Sequence, residues 1–338
     1  PPPPIFFFND TATTEIYTSS NDAVVVLENG CLCCTIKSDL VSTMNSLYHD
    51  RARGNLPGFD NVVIETTGLA EPGPILQAFL SEPTLDGLYR ITKVVTMVDA
   101  ANFEGTAERH AEALRQVALA DDILISKLDL AKAGAAEALT ARLQTMNPAA
   151  RIAPADVSAS AVAPLLTHAG FDAADAMADP SEWLSLASYE TYENRIAEAD
   201  GVADQQMPHD FAAKGIESFV LTRAKPVTRE ELQFLLDGIS QNLGPSLLRV
   251  KGLVNILEEP GRPAVVQGVQ HLLHNVTWLE KWPSADERTR IVFITQGVAR
   301  GNLKEMIGLL DRMSERTFAA RERARLARLA EAQTERVA

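Results

Sequence analysis

The sequence predicts a doubly wound α/β domain built on a mainly parallel sheet, followed by a smaller α+β domain. Three observations lead there. Val24-Val25-Val26-Leu27, Asn61-Val62-Val63-Ile64, Val94-Val95-Thr96-Met97-Val98 and Asp122-Ile123-Leu124-Ile125 are short continuous apolar runs, as expected of strands buried on both faces. Stretches with apolar residues at three- and four-residue spacing separate them, so strands and helices alternate. After about residue 215 the pattern changes to strand, helix and three further strands, which reads as helices on one face of a mainly antiparallel sheet.

In order, strand 24–27 leads into a cysteine-rich turn, and helical periodicity covers residues 38–48. Strand 61–64 is followed by helix 74–81, strand 94–98 by helix 107–119, and strand 122–125 by helix 134–146. Asn147-Pro148 stops the last of these, because proline disfavours helical backbone in the residue before it. A linker containing Pro, Asp and Gln spans 198–214. Beyond it the pattern gives strand 216–222, helix 229–241, strands 247–257, 264–270 and 290–295, and a long helix from about 302. No internal repeat is visible. In a doubly wound sheet, functional residues belong at the carboxyl ends of the strands.

The composition is that of an ordinary globular protein, with 46% hydrophobic and 22% charged residues among 338. A net charge of -14 argues against nucleic acid as a partner, since neutralising phosphates needs a basic face. Arg321, Arg323, Arg325 and Arg328 in the last helix alternate with Ala, Leu and Glu and read as a solvated face. No apolar run approaches the ~20 residues of a membrane span, and no signal-type leader is visible. With clustered free thiols, this points to a reducing cytoplasm.

The three cysteines of the chain all fall in Glu28-Asn29-Gly30-Cys31-Leu32-Cys33-Cys34. Thiols this close cannot form a disulfide framework, but they can converge as thiolates on one soft metal ion. Three ligands leave a tetrahedral site one short. Water, a nearby His or carboxylate, or a partner protein would complete it, and such an open site suits metal exchange. The competing reading is three small buried hydrophobes.

Two strand ends carry further candidates. At Val63-Ile64-Glu65-Thr66-Thr67-Gly68 a buried strand delivers Glu65 to the sheet edge, and Gly68 lets backbone approach a ligand closely. The arrangement suits a switch that senses a terminal phosphate; an acidic residue closing a strand before a turn is the plainer alternative. At Ile125-Ser126-Lys127-Leu128-Asp129, the Asp129 carboxylate could accept two hydrogen bonds from a guanine edge while the Lys127 stem covers the base. Adenine offers no matching donor pair. His271 and His274 could join a metal relay, although packing or a surface turn explains them equally simply. Trp278 and Trp282 read as core or interdomain anchors.

These motifs, with Leu69-Ala70-Glu71-Pro72, Gln116-Val117-Ala118-Leu119-Ala120-Asp121, Leu248-Arg249-Val250-Lys251-Gly252-Leu253 and Gln267-Gly268-Val269-Gln270-His271-Leu272-Leu273-His274, resemble the CobW-type family of P-loop GTPases and metallochaperones. The resemblance spans roughly residues 20–300. It implies a P-loop-type GTPase domain at 19–197, a CobW-type C-terminal α+β domain at 215–300 and a C-terminal helix at 301–338. It further implies zinc or cobalt on Cys31, Cys33 and Cys34, and a magnesium and phosphate switch with Glu65 and Gly68 in the catalytic machinery. Ser126, Lys127 and Asp129 would read guanine, Ser126 standing where Asn is commoner. The implied function is GTP-driven metal transfer to a metal-requiring client protein; a second copy of the chain is an allowed partner. No Gly-x-x-x-x-Gly-Lys-[Ser/Thr] loop occurs in the chain. Residues 1–18 fit no part of the family and read as a non-native or disordered leader, to be set aside like an expression scar. The chain is therefore expected to be inactive as it stands. Two alternatives follow: a non-catalytic, metal-binding pseudo-GTPase, or a metal or redox sensor using Cys33-Cys34.

Overall fold

The computed structural model of the protein describes residues 35–59, 61–66, 68, 70–85, 87–155, 215–270, 272–273 and 276–298. It also gives the backbone of residues 4–9, 15–18 and 24–26, and helical positions at 305, 308, 312, 316, 320 and 323. The first sheet holds β1 (Pro4–Asn9), β2 (Glu15–Thr18), β3 (Val24–Val26), β4 (Val62–Thr66), β5 (Arg90–Asp99), β6 (Asp122–Ser126) and β7 (Arg151–Pro154). Its order is β3-β2-β4-β1-β5-β6-β7. β2 runs antiparallel to both neighbours and the other pairings are parallel. The helices are α1 (Thr35–Arg53), α2 (Pro72–Ser81), α3 (Phe103–Arg109), α4 (Ala111–Leu119) and α5 (Ala135–Met146). The doubly wound α/β architecture thus stands.

Two details differ from the sequence expectation. The helix expected over 107–119 is divided, because His110 adopts extended backbone (φ -126°, ψ 107°) between α3 and α4. The second concerns residues 1–18, expected to be a non-native or disordered leader. β1 lies at the centre of the sheet, with Ile5 to Asn9 in parallel register against Val62 to Thr66, and β2 pairs with β4. Ile5-Phe6-Phe7-Phe8 is itself a continuous apolar run of the kind central strands require, and Pro4, as the first residue of its strand, breaks no ladder within it.

The second sheet contains β8 (Ile216–Arg223), β9 (Leu247–Val254), β10 (Ala264–Val269), β11 (Leu272–Leu273), β12 (Thr277–Trp278) and β13 (Thr289–Gln296). Its order is β11-β10-β9-β13-β8 with β12 on β10, and every described pairing is antiparallel. Helix α6 (Arg229–Leu243) buries Leu232, Leu236, Ile239 and Leu243 on one face of it. Thr228 caps α6 by accepting from the Glu231 amide, while the Glu231 side chain accepts from the Thr228 amide, which pairs two donors left open at a helix start.

The other face of this sheet packs on the first domain. Leu248, Val265, Val292 and Ile294 join Val117, Leu139 and Leu143 of α4 and α5 in one cluster, and Trp282 is buried there too, as an interdomain anchor should be. A buried ionic group crosses the same interface: Asp121 accepts from Arg249 and Lys251, and Arg249 also donates to the Leu119 carbonyl at 2.6 Å. The expected linker at 198–214 lies outside the described residues, as do His271 and His274. Among the described residues no helix is long and apolar enough to cross a membrane.

Candidate functional site

Parallel register brings four strand ends to one edge. Asn9 of β1 pairs with Thr66 of β4 and Thr96 of β5, and Asp99 of β5 pairs with Ser126 of β6. Glu65 is level with Asp122, three strand positions across and about 14 Å away, and Ser126 lies four residues further along β6, about 19 Å from Glu65 at ordinary strand spacing, which leaves room for a nucleotide laid across the edge. The strand order turns around at β1, flanked by β4 on one side and β5 on the other. Ligands of open α/β sheets bind outside such a reversal.

At the β6 end, Ser126 closes the strand, its hydroxyl donating to the Val98 carbonyl at 3.3 Å and its carbonyl accepting from the Ala100 amide. Lys127 follows with φ +55°, a left-handed conformation that a non-glycine residue holds only when its surroundings enforce it. The enforcing group is Asp99. Its carboxylate accepts from Lys127 Nζ at 2.8 Å, from the Ala101 and Asn102 amides at 2.8 and 3.1 Å, and from Asn102 Nδ2 at 2.9 Å. Partial burial alone would raise the Asp99 pKa, but these hydrogen bonds outweigh it and hold the carboxyl at about 2. Asp129 stands exposed in the short 3-10 turn Leu128–Leu130, with Leu128 and Leu130 beside it also open to solvent.

At the β4 end, Glu65 is half-buried as the penultimate strand residue. Gly68 lies in the turn beyond it. Two consecutive residues of α4 hold this segment: Gln116 Nε2 donates to the carbonyls of Gly68 (3.1 Å) and Ala70 (3.0 Å), and Arg115 Nη1 donates to Glu71 at 2.6 Å. Sequence reasoning did not single out Asp99, Arg115 or Gln116 as functional. Asp99 carried a usable signal, an acidic residue closing an apolar strand just as Glu65 does. Gln116 opens one of the motifs that carry the resemblance, whereas Arg115 is a helix residue with no local mark.

Cys31, Cys33 and Cys34 lie outside the described residues, and among the described residues no group of His, Cys, Asp and Glu could hold a metal ion. The edge offers hard oxygen donors, Glu65 foremost, of the type magnesium prefers, with Asp99 already engaged by Lys127. Only residues 10–14 link the end of β1 to β2. That is too short for an eight-residue phosphate loop followed by a helix.

Comparison with known proteins covers both domains. The family model for the CobW/HypB/UreG nucleotide-binding domain matches residues 8–154, which takes in part of the segment first read as a leader; that for the cobalamin synthesis protein CobW C-terminal domain matches residues 216–308. The chain is 31% identical over 273 residues to the zinc chaperone YjiA of Escherichia coli, covering 80% of this chain and 77% of that one. It is also 31% identical over 129 residues to the zinc-regulated GTPase metalloprotein activator 1 of Schizosaccharomyces pombe, across 38% of this chain and 30% of that protein. The fold matches the crystal structure of the zinc-bound YjiA GTPase from E. coli with a TM-score of 0.63 at 23% identity, covering 92% of this chain and 99% of that one.

Proposed function

Because the chain belongs to the CobW family, with a CobW/HypB/UreG nucleotide-binding domain followed by a CobW C-terminal domain, we propose that it is a GTP-dependent metal chaperone. In this reading it carries zinc, or cobalt, on Cys31, Cys33 and Cys34 and uses GTP hydrolysis to release the metal to a client protein in the cytoplasm. The observation that supports it most is that Glu65, the Asp99-Lys127 pair and exposed Asp129 lie at or just beyond the carboxyl ends of β4, β5 and β6, on the same edge as the reversal at β1.

Each residue then has a task. Asp99 fixes Lys127 so that its stem can lie over a base, and Asp129 accepts the two N–H groups of a guanine edge. Glu65 and the Gly68 backbone face the terminal phosphate and magnesium, which when bound would neutralise charge on the phosphate oxygens. Loss of the terminal phosphate relaxes the Glu65–Glu71 segment, and the thiolate turn loosens with it. Coupling of this kind is reciprocal: if GTP tightens zinc binding ~100-fold, about 2.7 kcal/mol, zinc tightens GTP binding equally.

The test is zinc stoichiometry under reducing conditions. About one zinc per chain is expected, with Cys33→Ser/Cys34→Ser binding none; Co(II) in the unsubstituted chain should give intense thiolate charge-transfer absorption. Unchanged stoichiometry in the double variant sinks the cysteine assignment. A second reading, a pseudo-GTPase that binds metal without turnover, is favoured by one observation, the short connection at 10–14 after β1. It requires that the 338-residue chain bind GTP weakly, and micromolar affinity in calorimetry would exclude it.

A further inference from the structure

One of the two α4 residues that hold the Gly68–Glu71 segment also reaches the second domain. Arg115 uses Nη1 on Glu71 (2.6 Å) and Nε on Oε1 of Gln296, the last residue of β13, at 2.8 Å. Its neighbour Gln116, 5% exposed, secures the carbonyls of Gly68 and Ala70 from the adjacent position. Glu71 Oε1 is buried with no hydrogen-bond partner among the described residues, so the Glu71 charge depends on Arg115. A second contact lies further along, on α2. Gln77 of α2 donates to Gln270, and Gln270 approaches Gly73 so closely that a Cβ there would lie 2.6 Å from Gln270 Nε2. Gln270 itself holds φ +54°, another left-handed non-glycine residue kept in place by its surroundings.

We infer that Arg115 is a positioning residue that couples the Gly68–Glu71 segment to the C-terminal domain, with Gln116 fixing the segment on α4 and the Gln270 contact on α2 as a second link. The segment cannot change shape without releasing Gln296 through Arg115 or dragging α2 across Gln270. By linkage, a protein that binds the C-terminal sheet shifts the conformational balance of the segment, and a ligand on the segment shifts affinity for that protein. Arg115 suits this task because its planar guanidinium presents separate donors to two acceptors at once, which a lysine ammonium on a flexible stem does not. The functional weight of the coupling rests on the reading of residues 65–71 as a nucleotide switch, whereas the coupling itself requires no ligand.

The experiment is therefore ligand-free hydrogen exchange on the full chain. Gln296→Ala, a change in the second domain, should speed exchange of peptides covering 65–81 by about 3- to 10-fold, the loss of one partly exposed hydrogen bond. Arg115→Lys keeps a positive charge beside Glu71 but loses the span, so it should have a similar effect, and the double variant should exceed neither single by more than about 2-fold. Gln270→Gly, which relieves the left-handed backbone and so protects folding, should also speed exchange in 65–81. Exchange in 65–81 unmoved by Gln296→Ala, or effects of the two variants that simply multiply, overturns the inference. Zinc titration of the same proteins reports on the metal reading separately, so one can fail without the other.

Discussion

Replacing Asp121 by Asn tests the ionic group that fastens the two domains together. Asp121 accepts from Arg249, from Lys251 and from the Val94 amide at 2.9 Å, while Lys251 is only 2% exposed. Burial pushes the Asp121 carboxyl up, but the Arg249 and Lys251 charges outweigh it and bring it to about 2; burial pulls Lys251 down to about 8. Asparagine keeps the shape and removes the anion, which leaves two cations facing each other in the interface. Breaking a buried pair from one side costs about 3–5 kcal/mol, a large share of the 5–15 kcal/mol by which domains are stable. Urea unfolding at pH 7, followed by tryptophan fluorescence, should show that loss. The pH dependence gives a second reading of the same quantity. Because the folded pKa of Asp121 lies below its unfolded value of 3.8, its contribution is fully present above pH 3.8 and is lost as pH falls toward 2. The gap between the unsubstituted chain and Asp121→Asn should narrow over that window, by about 2 kcal/mol for a shift of this size. Lys251 acts at the other end: the unfolded chain binds the extra proton between about 8 and 10.5, so stability rises with pH there. Adding Arg249→Met and Lys251→Met to Asp121→Leu removes every charge together and should cost far less than the single change. A loss below about 1 kcal/mol for Asp121→Asn would show that water reaches the group and that this reasoning is wrong.

Further outcomes follow from other sites. Thr228→Ala removes the capping box of α6 and should cost about 1 kcal/mol in denaturant unfolding, with Thr228→Ser retaining most of it. Gly252→Ala places a methyl group 2.5 Å from the Arg290 carbonyl and 2.7 Å from Ile291 Cα, both backbone atoms of a central strand that cannot swing aside. Unfolding should register at least the 1–3 kcal/mol typical of overpacking, about, and an unchanged midpoint would mean the strands part more easily than this packing implies. In a version of the chain supplied with a phosphate loop and helix after β1, Asp129→Asn should move preference from GTP toward xanthosine triphosphate, since a carboxamide can donate to the xanthine oxygen; competition binding with the two nucleotides decides it.

The order of elements was legible because each buried strand writes its burial directly into consecutive residues. Val94 to Val98, broken only by Thr96, and Ile123 to Ile125 are apolar, and the structure places them side by side in the sheet. Boundaries were less legible where a polar residue does a tertiary job. Asn147 looks like a simple stop for α5, yet its side chain donates to the carbonyls of Val117 and Ala120 at 2.8 and 2.9 Å, satisfying the end of α4 rather than its own helix. The break at His110 carries no Gly or Pro to announce it. Glu65, Ser126, Lys127 and Asp129 were legible as candidates because strand ends of this architecture have a known side, whereas Arg115 acts across 44 residues of chain and leaves no local pattern.

Residues 1–18 show why a motif and a fold have to be weighed separately. The missing phosphate-loop motif and the run of prolines were reason to set this segment aside, but the sheet requires a strand between β4 and β5, since the connection from β4 through α2 to β5 steps over one strand position. Only an apolar segment can fill a slot flanked on both sides by parallel neighbours, because a charged residue there would face helices on either surface without water. Ile5-Phe6-Phe7-Phe8 meets that requirement. The chemistry absent after Asn9 and the hydrophobicity present before it are independent properties. The chain can therefore complete its sheet without carrying a Gly-x-x-x-x-Gly-Lys-[Ser/Thr] sequence, and weak GTP binding by a stably folded chain is the combination the pseudo-GTPase reading requires.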